Sequence, residues 1–480
     1  MVVYGVGGTL SKGIGFVLLP VLTRLFSPAE YGSLQLLLTI TGLLGVVLTL
    51  GLDASQGFFF TRQGRHGLPA QRRVVTAVFQ LRMCWGLVVS ALSAVASPVL
   101  NHAMFAGDLS THHFLVAFGA SFFGQVVRQS VEIFRLTFKP WRYLILTSLH
   151  TVGTASVAIV LIATLDLGML GYFYGALAAS IFAAVLGVIL IRDYLDLRRM
   201  SARLWPRLLR FGAPLMPAGI AMYAMNTMDR WFVSVLRGGE ELGLYSAAAK
   251  FAVAIGLAAQ VFRLAWWPQA LHAMNNDEDR TIFRRVARYY LGAASAGVIV
   301  LTAASGPLLS WLTPPPYHSG FPIVGVLAWH SVFYGFYLIA AAGMWKRERT
   351  LWSPVLIGSA GAVNALLNAL LVPGLGGLGA AIATSAAFLA WIVGAVLVSE
   401  RLWPVSYEFG LLATQAIVGI TASALVLWMM TRGYVVAAWG VTGTTVAGLL
   451  ITTVGSRAAL AAVRRVLRQV ATVARPGSSS

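Results

Sequence analysis

Apolar runs of about 20 residues follow one another along nearly the whole chain, parted by short polar gaps. The runs are continuous rather than alternating, and each is long enough to cross a hydrocarbon core of ~30 Å as a helix. They fall at 3–23, 33–57, 74–97, 111–133, 143–165, 168–191, 211–236, 242–272, 289–312, 321–344, 351–373, 377–398, 409–430 and 434–455. Lipid offers the backbone no hydrogen-bond partner, so a spanning segment must be a helix or part of a closed barrel. The pattern therefore predicts an all-α polytopic membrane protein with fourteen transmembrane helices.

The cations sort by gap. Every second gap and the tail hold 26 of the 35 Lys and Arg residues, from Arg62 and Arg65 to Arg468 and Arg475. The other gaps hold three: Arg24, Arg237 and Arg432. By the positive-inside rule both termini are expected in the cytoplasm of a bacterial inner membrane protein. A missed helix would invert the alternation downstream of it, and no inversion occurs. The first run lacks a basic region before it and a small-residue cleavage site, so it is expected to be retained.

Composition adds exclusions. The chain is 58% hydrophobic and 11% charged, against about a quarter charged in soluble domains. Its net charge of +19 is spread over many short loops, so nucleic acid is not an expected partner. The lone Cys84 forms no intrachain disulfide. No phosphate-binding Gly-x-x-x-x-Gly-Lys-Ser/Thr loop occurs, the eight histidines lack metal-ligand spacing, and the outer gaps are too short for a catalytic domain. No cofactor is expected, and the chain is not expected to be an enzyme.

Two halves are visible. Run 1 is interrupted by Gly5, Gly7, Gly8, Gly13, Gly15 and Pro20, and run 7 by Gly212, Pro214, Pro217 and Gly219. Tyr31-Gly32-Ser33 enters run 2, and Gly243-Leu244-Tyr245-Ser246 enters run 8. Matched broken helices in two halves point to a transporter's central site; Gly and Pro also serve helix packing. The expected organisation is a first lobe at 1–191, a basic linker at 192–210, a second lobe at 211–398, an appended helix pair at 399–455 and a basic tail at 456–480. The linker carries leucines among six arginines and is expected along the anionic leaflet. Ser27-Pro28-Ala29-Glu30 predicts a capping box.

Six cations remain within the runs: Lys12, Arg82, Arg128, Arg230, Lys250 and Arg263. The acids there are Asp53, Glu132 and Asp229. A charge at membrane depth costs at least ~2.5–3.5 kcal/mol and normally faces a bundle interior or wet cavity. Lys12 is too deep to reach the headgroups easily. Arg82, Arg128 and Arg263 either snorkel or line a cavity. Arg128 and Glu132 are spaced for an i,i+4 ion pair, Asp229 and Arg230 point to different sides, and Asp53 is near an interface. Six cations against three acids suit an anionic substrate such as a phosphate-bearing lipid headgroup. Asp53, Glu132 and Asp229 are the candidates for H⁺ or Na⁺ coupling. Tyr223, Tyr245, Phe321, Tyr334 and Tyr337 either stack on sugars or form an interfacial belt.

The stretch Gly13 to Gly32, read as GIGFVLLPVLTRLFSPAEYG, resembles the opening of the Wzx-type polysaccharide flippases, with Gly51-Leu52-Asp53 following. Asp229-Arg230 with Gly243-Leu244-Tyr245 and Lys250 is similar to the family's helix 7–8 signature. The family lies in the multidrug/oligosaccharidyl-lipid/polysaccharide exporter (MOP) superfamily. The resemblance implies two six-helix lobes around a central cavity and alternating access. It implies a substrate of undecaprenyl-pyrophosphate-linked oligosaccharide, moved to the periplasmic leaflet for a surface polysaccharide such as O-antigen. It also implies a polysaccharide polymerase and a chain-length regulator as partners. Lys12, Arg24, Arg230 and Lys250 would contact pyrophosphate or acidic sugars, with Arg82, Arg128 and Arg263 as further candidates. Related lipid II flippases carry a helix 2 arginine facing the cavity, and run 2 has none. The alternatives are a multidrug cation antiporter on the same fold, a polysaccharide-assembly enzyme, or a non-transporting scaffold.

Overall fold

A computed structural model of the protein describes residues 15–196, 202–276, 280–349 and 351–454. Among these residues the structure is helical, without strands. In chain order the helices are α1 (Leu19–Leu25), α2 (Pro28–Thr49), α3 (Leu52–Gln63), α4 (Leu68–Phe105), α5 (Thr111–Leu136), α6 (Pro140–Leu165), α7 (Gly168–Ile191) and α8 (Trp205–Gly212). There follow α9 (Met216–Arg237), α10 (Gly239–Asn276), α11 (Thr281–Leu312), α12 (Phe321–Ala340), α13 (Ala342–Lys346), α14 (Trp352–Leu402), α15 (Phe409–Thr431) and α16 (Val435–Val454).

Eleven stretches of helix among the described residues are long and apolar enough to cross a membrane. Three features account for the difference from fourteen. Run 1 begins outside the described residues, leaving the short apolar Gly15–Leu25. Run 4 is α5, whose His112, His113, Gln125, Arg128 and Gln129 lower its mean hydropathy. Runs 11 and 12 share the 51-residue α14, which non-helical Gly376 (φ +56°, ψ −137°) divides in two.

Local chemistry sets the helix ends. Ser27 forms the capping box: its hydroxyl accepts from the Glu30 N–H, and the Glu30 carboxylate accepts from the Ser27 N–H at 2.8 Å. Pro28 occupies the first turn, where no N–H is needed. Run 7 is broken by Pro214, which cannot continue an α-helical ladder. The chain passes from α8 through a 3₁₀ turn at Ala213–Leu215 into α9.

Helix 2 of the sequence reading is also broken. Leu50 (φ +48°) and Gly51 (φ +64°) are both left-handed, so α2 stops and α3 restarts at Leu52. Leu52 is fully buried with Leu50, Val74, Val78, Leu81 and Leu208. Leu208 belongs to α8, and Leu204 and Leu209 pack on the same cluster. The Ser55 hydroxyl donates to the Leu208 carbonyl at 2.8 Å. Leu208 thus faces protein rather than lipid, with Leu204 and Leu209 partly buried beside it. The linker's Arg203, Arg207 and Arg210 stay exposed for headgroups.

The described chain forms two compact units. The first holds residues up to Lys250 with Leu312–Gly320 and Ile357–Thr384; the second holds Phe251–Trp311, Phe321–Leu356 and the remainder from Ser385. Within the first, the N-terminal ends of α2 and α10 meet through glycines: a Cβ on Gly32 would strike the Gly239 carbonyl, and one on Gly243 the Pro28 carbonyl. Beside them Tyr31 packs edge-on against Tyr317, whose hydroxyl donates to the Phe26 carbonyl at 2.9 Å. In the second unit α15 and α16 pack with α11 through Ile299, Ala303, Val426 and Leu449.

Candidate functional site

The charged residues of the first unit fall into two groups. The first is built by the break at Leu50-Gly51, which sets Asp53 in the first turn of α3. Its carboxylate accepts from Arg82 Nη2 at 2.7 Å and from Arg128 Nε at 2.5 Å. Arg82, only 1% exposed, also donates to the Gln125 side-chain oxygen at 3.2 Å. The Gln125 amide donates in turn to the Gly45 carbonyl at 3.2 Å. Asp53 is therefore shared by two guanidiniums. Glu132 pairs with Arg135 at 2.7 Å, not with Arg128. The i,i+4 spacing permits the Arg128–Glu132 pair, but the nearer partner of Arg128 comes from α3.

The second group gathers α2, α9, α10 and α14. Buried Asp229 accepts from the Tyr245 hydroxyl, from Thr384 Oγ1 at 3.5 Å and from the Arg230 backbone N–H at 2.8 Å. Its side chain does not pair with that of Arg230. The Asn364 amide donates to Thr384 Oγ1 at 3.3 Å, and Asn368 donates to Asn364 Oδ1 at 2.8 Å. Arg230 reaches across to Thr39 Oγ1 at 3.4 Å, and the Tyr223 hydroxyl donates to the Thr39 carbonyl at 2.8 Å.

Lys250 lies within electrostatic reach of Arg230. Its side chain is half-buried. Among the described residues neither cation makes an ion pair, and Lys250 makes no hydrogen bond. Two like charges in such a place repel unless an anion joins them.

The other expected site residues lie elsewhere. Arg24 is exposed and donates to the Pro20 carbonyl of its own helix at 3.3 Å. Arg263 belongs to the second unit and is half-buried, without an ion pair among the described residues. Lys12 lies outside the described residues. Two of the aromatics have other duties: Tyr245 is buried on Asp229, and Tyr337 stacks on Trp391 at 4.2 Å.

Sequence reasoning missed Gln125, Thr384, Asn364 and Asn368. The two asparagines carried a signal, since two buried amides one helical turn apart in an apolar run need partners. Thr384 carried none, because threonine satisfies its hydroxyl on its own helix at many positions here, as Thr39 does on the Gln35 carbonyl.

A family model described as polysaccharide biosynthesis protein matches residues 1–269. Among curated proteins none matches the chain. The fold is similar to that of a lipid II flippase, MurJ, in an inward closed conformation: TM-score 0.70, 14% identity, covering 94% of this chain and 98% of that one. It is also similar to an inward-facing multidrug resistance MATE transporter of the MOP superfamily, with TM-score 0.67, 15% identity and coverage of 84% and 95%. A third match is a MOP superfamily transporter from Pyrococcus furiosus described by the reverse polarity of its binding pocket, with TM-score 0.52, 14% identity and coverage of 83% and 96%.

Proposed function

The chain belongs to the polysaccharide biosynthesis protein family of MOP-superfamily flippases, and from that premise we propose that it carries an undecaprenyl-pyrophosphate-linked oligosaccharide from the cytoplasmic to the periplasmic leaflet. It is a multi-pass membrane protein, and its family and structural neighbours are transporters. The observation that carries the substrate class is the Arg230–Lys250 pair. Arg230 and Lys250 lie within electrostatic reach of each other and make no ion pair among the described residues, and a pyrophosphate would complete them with charge-assisted hydrogen bonds. The polyprenyl tail would stay in lipid while the headgroup crosses.

Two of the three intramembrane acids are already neutralised, which argues against a cation as cargo. Asp53 is neutralised by two arginines and Glu132 by Arg135. Asp229 lies in the group that also holds Arg230, where its carboxylate accepts from Tyr245 and Thr384. Because it adjoins the proposed anion site, it is the acid we assign to H⁺ or Na⁺ coupling, with Asp53 and Glu132 in structural roles. A polymerase and a chain-length regulator are the partners expected of a flippase serving O-antigen or a similar polysaccharide.

The test is flipping in proteoliposomes, with a lipid-linked oligosaccharide whose glycan becomes accessible to an added glycosidase on crossing. Wild type is expected to flip, and Arg230→Ala and Lys250→Ala to slow it by at least about tenfold. Normal rates in both variants would remove the anion site from the mechanism. No flipping by wild type would favour the scaffold.

A further inference from the structure

A cleft of about 440 Å³ lies within the first unit, between α2, α5, α6 and α7. It is separate from the Arg230–Lys250 pair, which does not line it. Its size falls within the ~300–1,000 Å³ of small-molecule sites. One wall is a stripe on α5 running from Ala117 to Val131 at helical spacing. At 1.5 Å per residue that stripe is roughly 21 Å long, so the cleft is narrow and elongated.

One end holds Arg128, whose side chain is 56% exposed although it is paired with Asp53. The pairing uses Nε. Among the described residues the two terminal amino groups of the guanidinium make no hydrogen bond. They are held in place and unspent, the condition for gripping a carboxylate or phosphate with two parallel bonds. Arg82, by contrast, spends both terminal nitrogens on Asp53 and Gln125.

Ser121 adds a hydroxyl to the α5 wall, and the remaining walls offer Thr154 and Tyr172, with His150 bonded to Ser180 at 3.0 Å. In the middle lies Gly124. A Cβ there would meet nothing within 4 Å, and its backbone is ordinary helix. A mid-helix glycine costs ~0.5–1 kcal/mol against alanine. Here neither packing nor conformation requires it, and its effect is to keep the cleft open.

We propose that this cleft is a second subsite, which binds an acidic saccharide with Arg128 on its anionic group and the hydroxyl-bearing walls along its rings. This rests on the flippase reading, with the lipid-linked pyrophosphate on Arg230 and Lys250 and the acidic part of the glycan in the cleft.

The test is equilibrium binding to the purified full chain in nanodiscs, with three probes: digalacturonic acid, neutral maltose and inorganic phosphate. Digalacturonic acid is expected to bind with measurable affinity and maltose far more weakly. Arg128→Gln is expected to weaken digalacturonic acid roughly ten- to hundredfold. Arg128→Lys, which keeps the charge but loses the fork, should fall between. Gly124→Phe places a ring into the cleft from a position whose Cβ would meet nothing within 4 Å, and should abolish binding while the protein keeps its thermal stability. Lys250→Ala should leave digalacturonic acid binding unchanged. Equal binding of maltose, phosphate binding as tight as the saccharide's, or undiminished binding in Gly124→Phe would overturn the subsite. Because no lipid carrier or transport is involved, these outcomes are independent of the flipping assay.

Discussion

The main chains of Gly51 and Gly212 touch. A Cβ on Gly51 would strike the Gly212 carbonyl, and a Cβ on Gly212 would sit 2.6 Å from Ser55 Oγ and 2.9 Å from the Gly51 carbonyl. The contact joins two breaks, the left-handed turn between α2 and α3 and the end of α8 before the 3₁₀ turn. It is the reason α3 and its Asp53 lie where they do. Gly51→Ala adds a left-handed penalty of ~1–2 kcal/mol to an overpacking cost of ~1–3 kcal/mol. Its apparent Tm in detergent is expected to fall well below that of Gly107→Ala. Gly107 is also left-handed but has open space around it, so it isolates the backbone term.

Asp53 and Glu132 should respond differently to neutralisation. Asp53→Asn leaves Arg82 buried and uncompensated, with its Nε already lacking a partner, at a cost of ~3–5 kcal/mol. Glu132→Gln frees Arg135, which is 61% exposed and hydrates readily, so its cost is ~1 kcal/mol or less. Thermal unfolding of the two variants side by side checks the ranking. Equal losses would mean that Arg82 finds another partner.

The glycine contact between α2 and α10 can be locked. A Cβ on Gly239 would lie 3.8 Å from Ser33 Oγ, close enough for cysteine side chains at the two positions to meet. With exposed Cys84 replaced by alanine, Ser33→Cys with Gly239→Cys is expected to oxidise to an intramolecular disulfide. If these ends part during transport, flipping stops on oxidation and returns on reduction. A cross-linked protein that flips normally would show that this contact stays closed through the cycle.

Lys250→Met keeps the apolar stem and removes an unpaired, desolvated charge. The variant is expected to gain about 1 kcal/mol and to melt above the wild type in detergent. It should also lose most of the stabilisation that inorganic pyrophosphate gives the wild type. Thermal shift with and without pyrophosphate reads both effects. A variant that keeps the full pyrophosphate response would place the anion elsewhere.

Much of the fold was legible because its causes are local in the chain. Continuous apolar runs mark helices in lipid, the division of α14 at Gly376 falls between two predicted runs, and the Ser27–Glu30 capping box closes within four residues. The candidate site was legible only as a list. Asp53, Arg82, Arg128, Asp229, Arg230 and Lys250 all stand out in the sequence, where Arg128 and Glu132 have the spacing of an ion pair; in the structure Arg128 meets Asp53 of α3 instead. Spacing along one helix shows which residues can meet on that helix, and nothing about a competing partner on another.

By itself the sequence determined the membrane-spanning character, the break near Gly376 and the Ser27–Glu30 cap, and the few charges that hydropathy leaves unexplained. Tertiary structure decided which of those charges are spent. Asp53 meets Arg82 and Arg128 at separations of 29 and 75 residues, and Asp229 meets Thr384 at 155. The physical reason is range. Helix formation in lipid depends on a few neighbouring residues, whereas neutralising a buried charge depends on which helix faces are pressed together. Here those faces are set by backbone contacts such as Gly51 on Gly212.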